Sequence, residues 1–205
     1  EITRTLAEAG VDEDTLVIFT SDNGPWTMLR EFGGSAGPLR GEKGTGWEGG
    51  SRVPAVFHWP GTIRPGVSSA FMLNMDLYAT LAAVTGAPPP KGEARDSVDL
   101  SGVLLDGEPS PRTSHLHFSG ARFDGPFAWR CGDYKIHFRT NDRSRNPHTC
   151  ASEPAAEHDP PMLFDVAHDI GESTDLATEL PEVRERLADA YRAQARETAG
   201  TALTR

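Results

Sequence analysis

Positive charge is scarce in this chain: 20 Lys and Arg stand against 30 Asp and Glu over 205 residues, a formal charge of -10. Nucleic acids and anionic membrane surfaces select basic patches, so this balance argues against both as partners. Long apolar runs are missing too, and none approaches the length of a membrane span. No secretory leader pattern is visible, and there is no internal repeat or low-complexity tract. Cysteine is nearly absent, with Cys131 and Cys150 the only two. They either pair, closing a loop of about twenty residues and contributing roughly 3 kcal/mol if unstrained, or remain separate thiols. A hydrophobic fraction of 37% suffices for one ordinary core, or for one core plus a small lobe.

What is present begins with Leu16-Val17-Ile18-Phe19-Thr20, which runs into Ser21-Asp22-Asn23-Gly24. The run is continuously apolar rather than alternating, as expected of a central parallel strand covered on both faces. Asp22 and Asn23 then fall beyond its carboxyl end, where open α/β sheets place their ligands. A carboxylate and an amide oxygen are hard donors, suited to Ca²⁺ or Mg²⁺. Taken alone, Asp-Asn-Gly reads first as a turn, since Asn and Gly tolerate positive φ. About twenty residues later a glycine-rich stretch carries Lys43. Gly44-Thr45-Gly46-Trp47-Glu48-Gly49 matches G-x-G-x-x-G but follows a loop and leads through Pro54 into a strand-like Ala55 to Trp59, so it is not a dinucleotide site. Gly41-Glu42-Lys43-Gly44 lacks the spacing of a P-loop.

The remaining punctuation predicts helices and strands. Ile2 to Ala9, stopped by Gly10, reads as a helix. A second helix is capped by Asp76 and ended by Gly86, with Leu77, Leu81 and Val84 at core spacing. Val103 to Leu105 is a short apolar piece in a polar crossover. Phe127 to Arg130 and Tyr134 to Phe138 flank Cys131-Gly132-Asp133 as a hairpin. Tyr134, Ile136 and Phe138 alternate with Lys135, His137 and Arg139, predicting one buried and one polar face. Met162 to Val166 is another strand, and a last helix starts at Pro181 with Val183, Leu187 and Tyr191 inward. His115 and His117 sit two apart on a strand, as a metal pair would, but isolated pairs of this kind are usually structural.

The segment from Gly33 to Ala55 is Gly-Gly-Ser-Ala-Gly-Pro-Leu-Arg-Gly-Glu-Lys-Gly-Thr-Gly-Trp-Glu-Gly-Gly-Ser-Arg-Val-Pro-Ala. With the strand before it and Phe57-His58-Trp59-Pro60-Gly61 after it, this stretch closely resembles the formylglycine-dependent sulfatases, in the arylsulfatase A and N-acetylgalactosamine-6-sulfatase branch. Asp169-Ile170-Gly171-Glu172 is similar to a turn in the C-terminal lobe of that family. The resemblance implies an α/β, alkaline-phosphatase-like fold, with residues 1–107 from the end of the main domain and 108–205 forming a small antiparallel α+β lobe. It implies that Asp22 and Asn23 are two Ca²⁺ ligands and that Lys43 contacts a sulfate oxygen. In related sulfatases a cysteine near the position of Cys150 pairs with one beside that lysine, where this sequence has Gly41.

The family's nucleophile, an aldehyde made from Cys or Ser in a C/S-x-P-S/A-R motif, has no counterpart here. By resemblance, then, this is the C-terminal portion of a longer enzyme, Glu1 is an interior residue, and the isolated chain is inactive. The implied reaction is hydrolysis of sulfate esters of small molecules or saccharides, in an extracytoplasmic compartment (periplasmic, secreted or lysosomal). Lys135, His137, Arg139, Arg143, Arg145 and His148 form a basic cluster in an acidic chain. It reads first as a solvated polar face. The sharper reading has the loop from Asn141 to Thr149, with Arg143 and His148, gripping an anionic substrate at the mouth of the site. Two alternatives stand beside the sulfatase: a metal-dependent phosphoesterase of the same superfold, and a non-catalytic anion-binding or interaction protein.

Overall fold

The structure, a computed structural model, describes residues 1–88, 96–118, 126–141 and 155–202. Contacts divide the chain into two units, Glu1–Asp22 with Pro54–Thr113, and Asn23–Val53 with Ser114–Arg205. The glycine-rich segment after Asp22 therefore groups with the C-terminal residues. Arg143, Arg145, His148 and Cys150 lie outside the described residues. Cys131 carries a free thiol, and Cys150, the partner weighed above, is outside the described residues.

In the first unit, α1 (Ile2–Ala9) ends as expected at Gly10, whose φ of 68° lets the Gly10 and Val11 amides reach back to Ala7 and Leu6 carbonyls. Strand β1 (Val17–Thr20) pairs antiparallel with β2 (Ala55–His58), Val17 opposite His58 and Thr20 opposite Ala55. This corrects the expected parallel strand covered on both faces: Phe19 is 64% exposed. An unbroken apolar run states that a strand has two oily faces, but it does not state the direction of the partner.

Helix α3 (Asp76–Thr85) follows, stopped at Gly86 as expected, after the four-residue helix α2 (Glu48–Ser51) of the second unit. Two expectations about α3 are corrected. Its buried residues are Asp76, Ala79, Thr80 and Ala82, whereas Leu81 is 38% exposed. Asp76 does not cap its own helix, since Met75 occupies that position. Instead its fully buried carboxylate accepts the amides of Leu73 and Val98 and pairs with Arg112, Nε at 2.6 Å. The Thr80 hydroxyl accepts the Leu100 amide, completing the attachment of α3 to the segment that leads into α4 (Ser101–Leu105).

The second unit is built on an antiparallel meander, β3 (Ser114–Phe118), β4 (Pro126–Cys131), β5 (Tyr134–Thr140) and β6 (Ala156–Asp165), neighbours in that order. The expected hairpin at Gly132-Asp133 is present, with Cys131 opposite Tyr134. One face of the sheet gives Leu116, Trp129, Ile136 and Leu163 to a core completed by Ala177, Leu187 and Ala188. That face is covered by α5 (Pro181–Ala202), with Val183 and Tyr191 packed at its border as the spacing predicted. The Tyr191 ring stacks on Phe138 at 4.0 Å, and its hydroxyl donates to the Pro126 carbonyl.

The opposite face is covered as well. Trp47, beside α2, lies 4.4 Å from the His137 ring and 5.7 Å from that of Phe164. Lys135 and His137, expected on a solvated polar face, are 0% exposed. A sheet with apolar residues on one face and charged ones on the other is half-wet only if nothing packs on the charged face. Here the 40–53 segment packs on it and brings the Glu48 carboxylate, and the 169–172 turn brings that of Glu172.

Candidate functional site

The backbone around Lys43 is laid down by close approaches that only glycine permits. A Cβ on Gly24 would stand 1.8 Å from the Gly49 carbonyl oxygen. The Gly24 amide instead donates to Gly50 O at 3.1 Å, and the Lys43 amide donates to Pro25 O at 2.8 Å. Glu42, buried, accepts the amide of Thr27 at 2.9 Å and also its hydroxyl. Within the loop, Thr45 Oγ1 donates to Glu42 O at 2.8 Å, and the Gly49 amide donates to Arg40 O at 2.7 Å. Gly41, at φ 81°, has no room for a side chain: a Cβ would meet Thr45 Oγ1 at 2.5 Å and Trp47 Cβ at 2.7 Å. A cysteine side chain does not fit at Gly41 in this arrangement.

Lys43 is the exception in this loop. Glu42 and every residue from Thr45 to Gly50 are buried, while Lys43 is exposed, its ammonium 5.8 Å from the centre of the Trp26 ring. The structure thus holds an exposed lysine on a backbone bonded at both sides. It brings Lys43 to the segment that begins at Asn23, through the Pro25 and Thr27 bonds. Asp22 is the last residue of the first unit; its exposed carboxylate accepts from Ser21 Oγ at 3.4 Å. Arg143 and His148 fall outside the described residues. Among the described residues no group of three or more His, Cys, Asp and Glu is arranged to hold a metal, His115 and His117 included.

Sequence reasoning missed a buried ionic cluster under the same loop. Glu48, the first residue of α2, accepts from Lys135 Nζ at 3.0 Å and from Arg130 Nη1 at 3.1 Å. Glu172 accepts from Lys135 Nζ at 3.3 Å, from His137 Nε2 at 2.7 Å and from the Glu48 amide at 2.6 Å. Burial opposes ionisation of Glu172, yet the Lys135 charge and the His137 and Glu48 hydrogen bonds hold its pKa below the usual range. Burial, with help from Lys135, lowers the His137 pKa to about 4, against the pull of Glu172. A neutral His137 therefore donates Nε2–H to Glu172 and leaves Nδ1 without a partner. His117, joined to Ser51 Oγ at 3.1 Å, is likewise held well below its ordinary value, by burial first and then by Lys135. The sequence signal was alternation, which named Lys135 and His137 as sharing a face; their partners Glu48 and Glu172 lie far away in the chain.

Among solved structures, the chain is similar to the PsFucS1 sulfatase from Pseudoalteromonas sp., with a TM-score of 0.81 and 30% identity, over 94% of this chain and 39% of that one. The architecture is that of the alkaline-phosphatase-like sulfatases. The sulfatase family model matches residues 1–87, and the model of the C-terminal region of aryl-sulfatase matches residues 110–202. The chain belongs to the sulfatase family. It is 43% identical over 193 residues to arylsulfatase A of Homo sapiens, covering 89% of this chain and 38% of that relative. To the arylsulfatase of Hemicentrotus pulcherrimus it is 37% identical over 191 residues, covering 84% and 34% respectively. The chain thus spans well under half the length of these relatives.

Proposed function

We propose that this chain supplies the sulfate-gripping lysine and part of the metal site of a sulfuric ester hydrolase of arylsulfatase type. The observation that carries the proposal is Lys43, an exposed ammonium on a loop whose backbone is buried and bonded on both sides, in a chain of the sulfatase family. Such an ammonium, set before the substrate arrives, stabilises charge that grows on the ester oxygens without reorganising. Lys43 donates to a sulfate oxygen, and its fixed backbone sets where that oxygen sits.

Asp22 and Asn23 fit Ca²⁺ or Mg²⁺ by donor chemistry, one carboxylate and one amide oxygen, both hard, and kinship with the sulfatases favours Ca²⁺. Two donors do not make a complete shell, so the other ligands belong to the part of the enzyme outside this sequence. A cation held there would offset negative charge on the ester. The formylglycine nucleophile likewise comes from a C/S-x-P-S/A-R motif outside these residues, and the 205-residue chain by itself has no sulfatase turnover. Kinship with the arylsulfatases supports sulfated small molecules or saccharides as substrates and an extracytoplasmic location. No described helix is long and apolar enough to cross a membrane. Arg143 and His148 are proposed to bind the anionic substrate, so charge reversal at both is expected to raise KM for a sulfated saccharide.

The test is Lys43→Ala in the full-length enzyme. Its kcat/KM for an aryl sulfate is expected to fall by about 10²- to 10³-fold, the usual cost of removing one preorganised donor. An unchanged value overturns the assignment of Lys43. Preferential turnover of the matching aryl phosphate overturns the sulfatase reading in favour of a phosphoesterase.

A further inference from the structure

The turn Asp169-Ile170-Gly171-Glu172 ends on a residue in an unusual state. Glu172 has φ 49°, in the left-handed region that a glutamate seldom adopts, and its side chain is completely buried. Strain of this kind persists only where the surroundings over-determine it. The surroundings here are the two ends of the Lys43 loop. The Glu172 backbone carbonyl accepts from Arg40 Nη1 at 3.2 Å, three residues before Lys43. Its carboxylate accepts the Glu48 amide at 2.6 Å, five residues after. The Arg40 guanidinium in turn lies 3.6 Å over the centre of the Trp47 ring, and the Gly49 amide returns to Arg40 O. On the sheet side, Lys135 and His137 hold the same carboxylate from β5.

We propose that Glu172 is a positioning residue for Lys43, a single side chain and carbonyl that clamp both ends of the loop and so fix where its ammonium stands. The proposal rests on the reading of Lys43 as the sulfate-contacting group. It extends that reading to a residue more than a hundred positions away, which touches neither substrate nor metal. At φ 49° the Glu172 carbonyl meets Arg40 while its carboxylate meets the Glu48 amide. Displacement of a contacting group by about 1 Å is enough to cost on the order of 10²-fold in rate.

The experiment is a double-mutant cycle of Lys43→Ala and Glu172→Gln in the full-length enzyme, with an aryl sulfate as substrate. Hydrogen exchange is measured alongside, at the amides of residues 42–50 and of α5. Glu172→Gln keeps the shape but replaces the charged acceptor of the Glu48 amide and of Lys135 by a neutral amide, which weakens the Glu48 end of the clamp. The expected results are a 10- to 100-fold lower kcat, faster exchange in 42–50 with α5 unchanged, and a Lys43→Ala effect at least tenfold smaller in the Glu172→Gln background. Losses that simply multiply, or exchange that rises equally in α5, overturn the clamp and make Glu172 a residue of general stability. Should Glu172→Gln fail to fold, Arg40→Met releases one end of the clamp, and the same coupling and exchange criteria decide. If Lys43→Ala alone leaves kinetics unchanged, the sulfate reading fails, and the exchange data still decide whether Glu172 fixes the loop.

Discussion

Asp76 and Gly24 show how single residues set this structure. Asp76 is a buried carboxylate whose charge is met by Arg112 and whose oxygens are taken by two backbone amides. Removing one partner of such a pair strands the other, so Asp76→Ala is expected to cost about 3–5 kcal/mol, read as a lower denaturation midpoint. Gly24→Ala places a methyl against the Gly49 carbonyl. It should cost about 1–3 kcal/mol in the same assay and also lower turnover, because that contact aligns the segment bearing Asn23 with the one bearing Lys43. At this scale the sequence was partly legible. Lys43 stood out because its glycine and glutamate neighbours form a long ordered pattern. Asp76 was seen, but as a helix cap, because local spacing cannot show an arginine 36 residues away.

Among the elements, the meander and its two covers carry the most weight. Strand β5 was legible in its alternation and its hairpin, and α5 in its proline start and inward residues. What alternation cannot tell is whether the second face is wet, and Lys135 and His137 were misread for that reason. The buried histidines make acid sensitivity a property of this sheet. His137 has a folded pKa near 4, below its ordinary 6.5, so the unfolded chain binds the extra proton between those values. His117 shifts the same way, and Glu172, held low by Lys135, His137 and the Glu48 amide, adds stability that is lost at still lower pH. Stability is therefore complete above about pH 6.5 and falls as the pH drops toward 4. Thermal melts across that window should show the decline, and His137→Gln should flatten it. A melting temperature independent of pH between 7 and 4 would falsify this account of the cluster.

For the molecule as a whole, the glycine-rich segment lies within the sulfatase match at residues 1–87 yet groups with the second unit. Its residues fold with the C-terminal sheet, although in sequence they directly follow the strand that carries Asp22. That grouping was not legible, since no local signal links residues 40–50 to β5 and Glu172. The three lysines give a direct probe of the central claim. Lys135 is sealed inside the sheet's covered face and Lys43 is exposed, so an amine-acylating reagent reaches the second and not the first in the folded enzyme. The decisive measurement is the acylation rate of Lys43 in the full-length enzyme, followed by peptide mass spectrometry with and without saturating inorganic sulfate. The account predicts that sulfate slows labelling of Lys43 at least tenfold and leaves that of Lys91 unchanged. Equal rates for Lys43 with and without sulfate would contradict it.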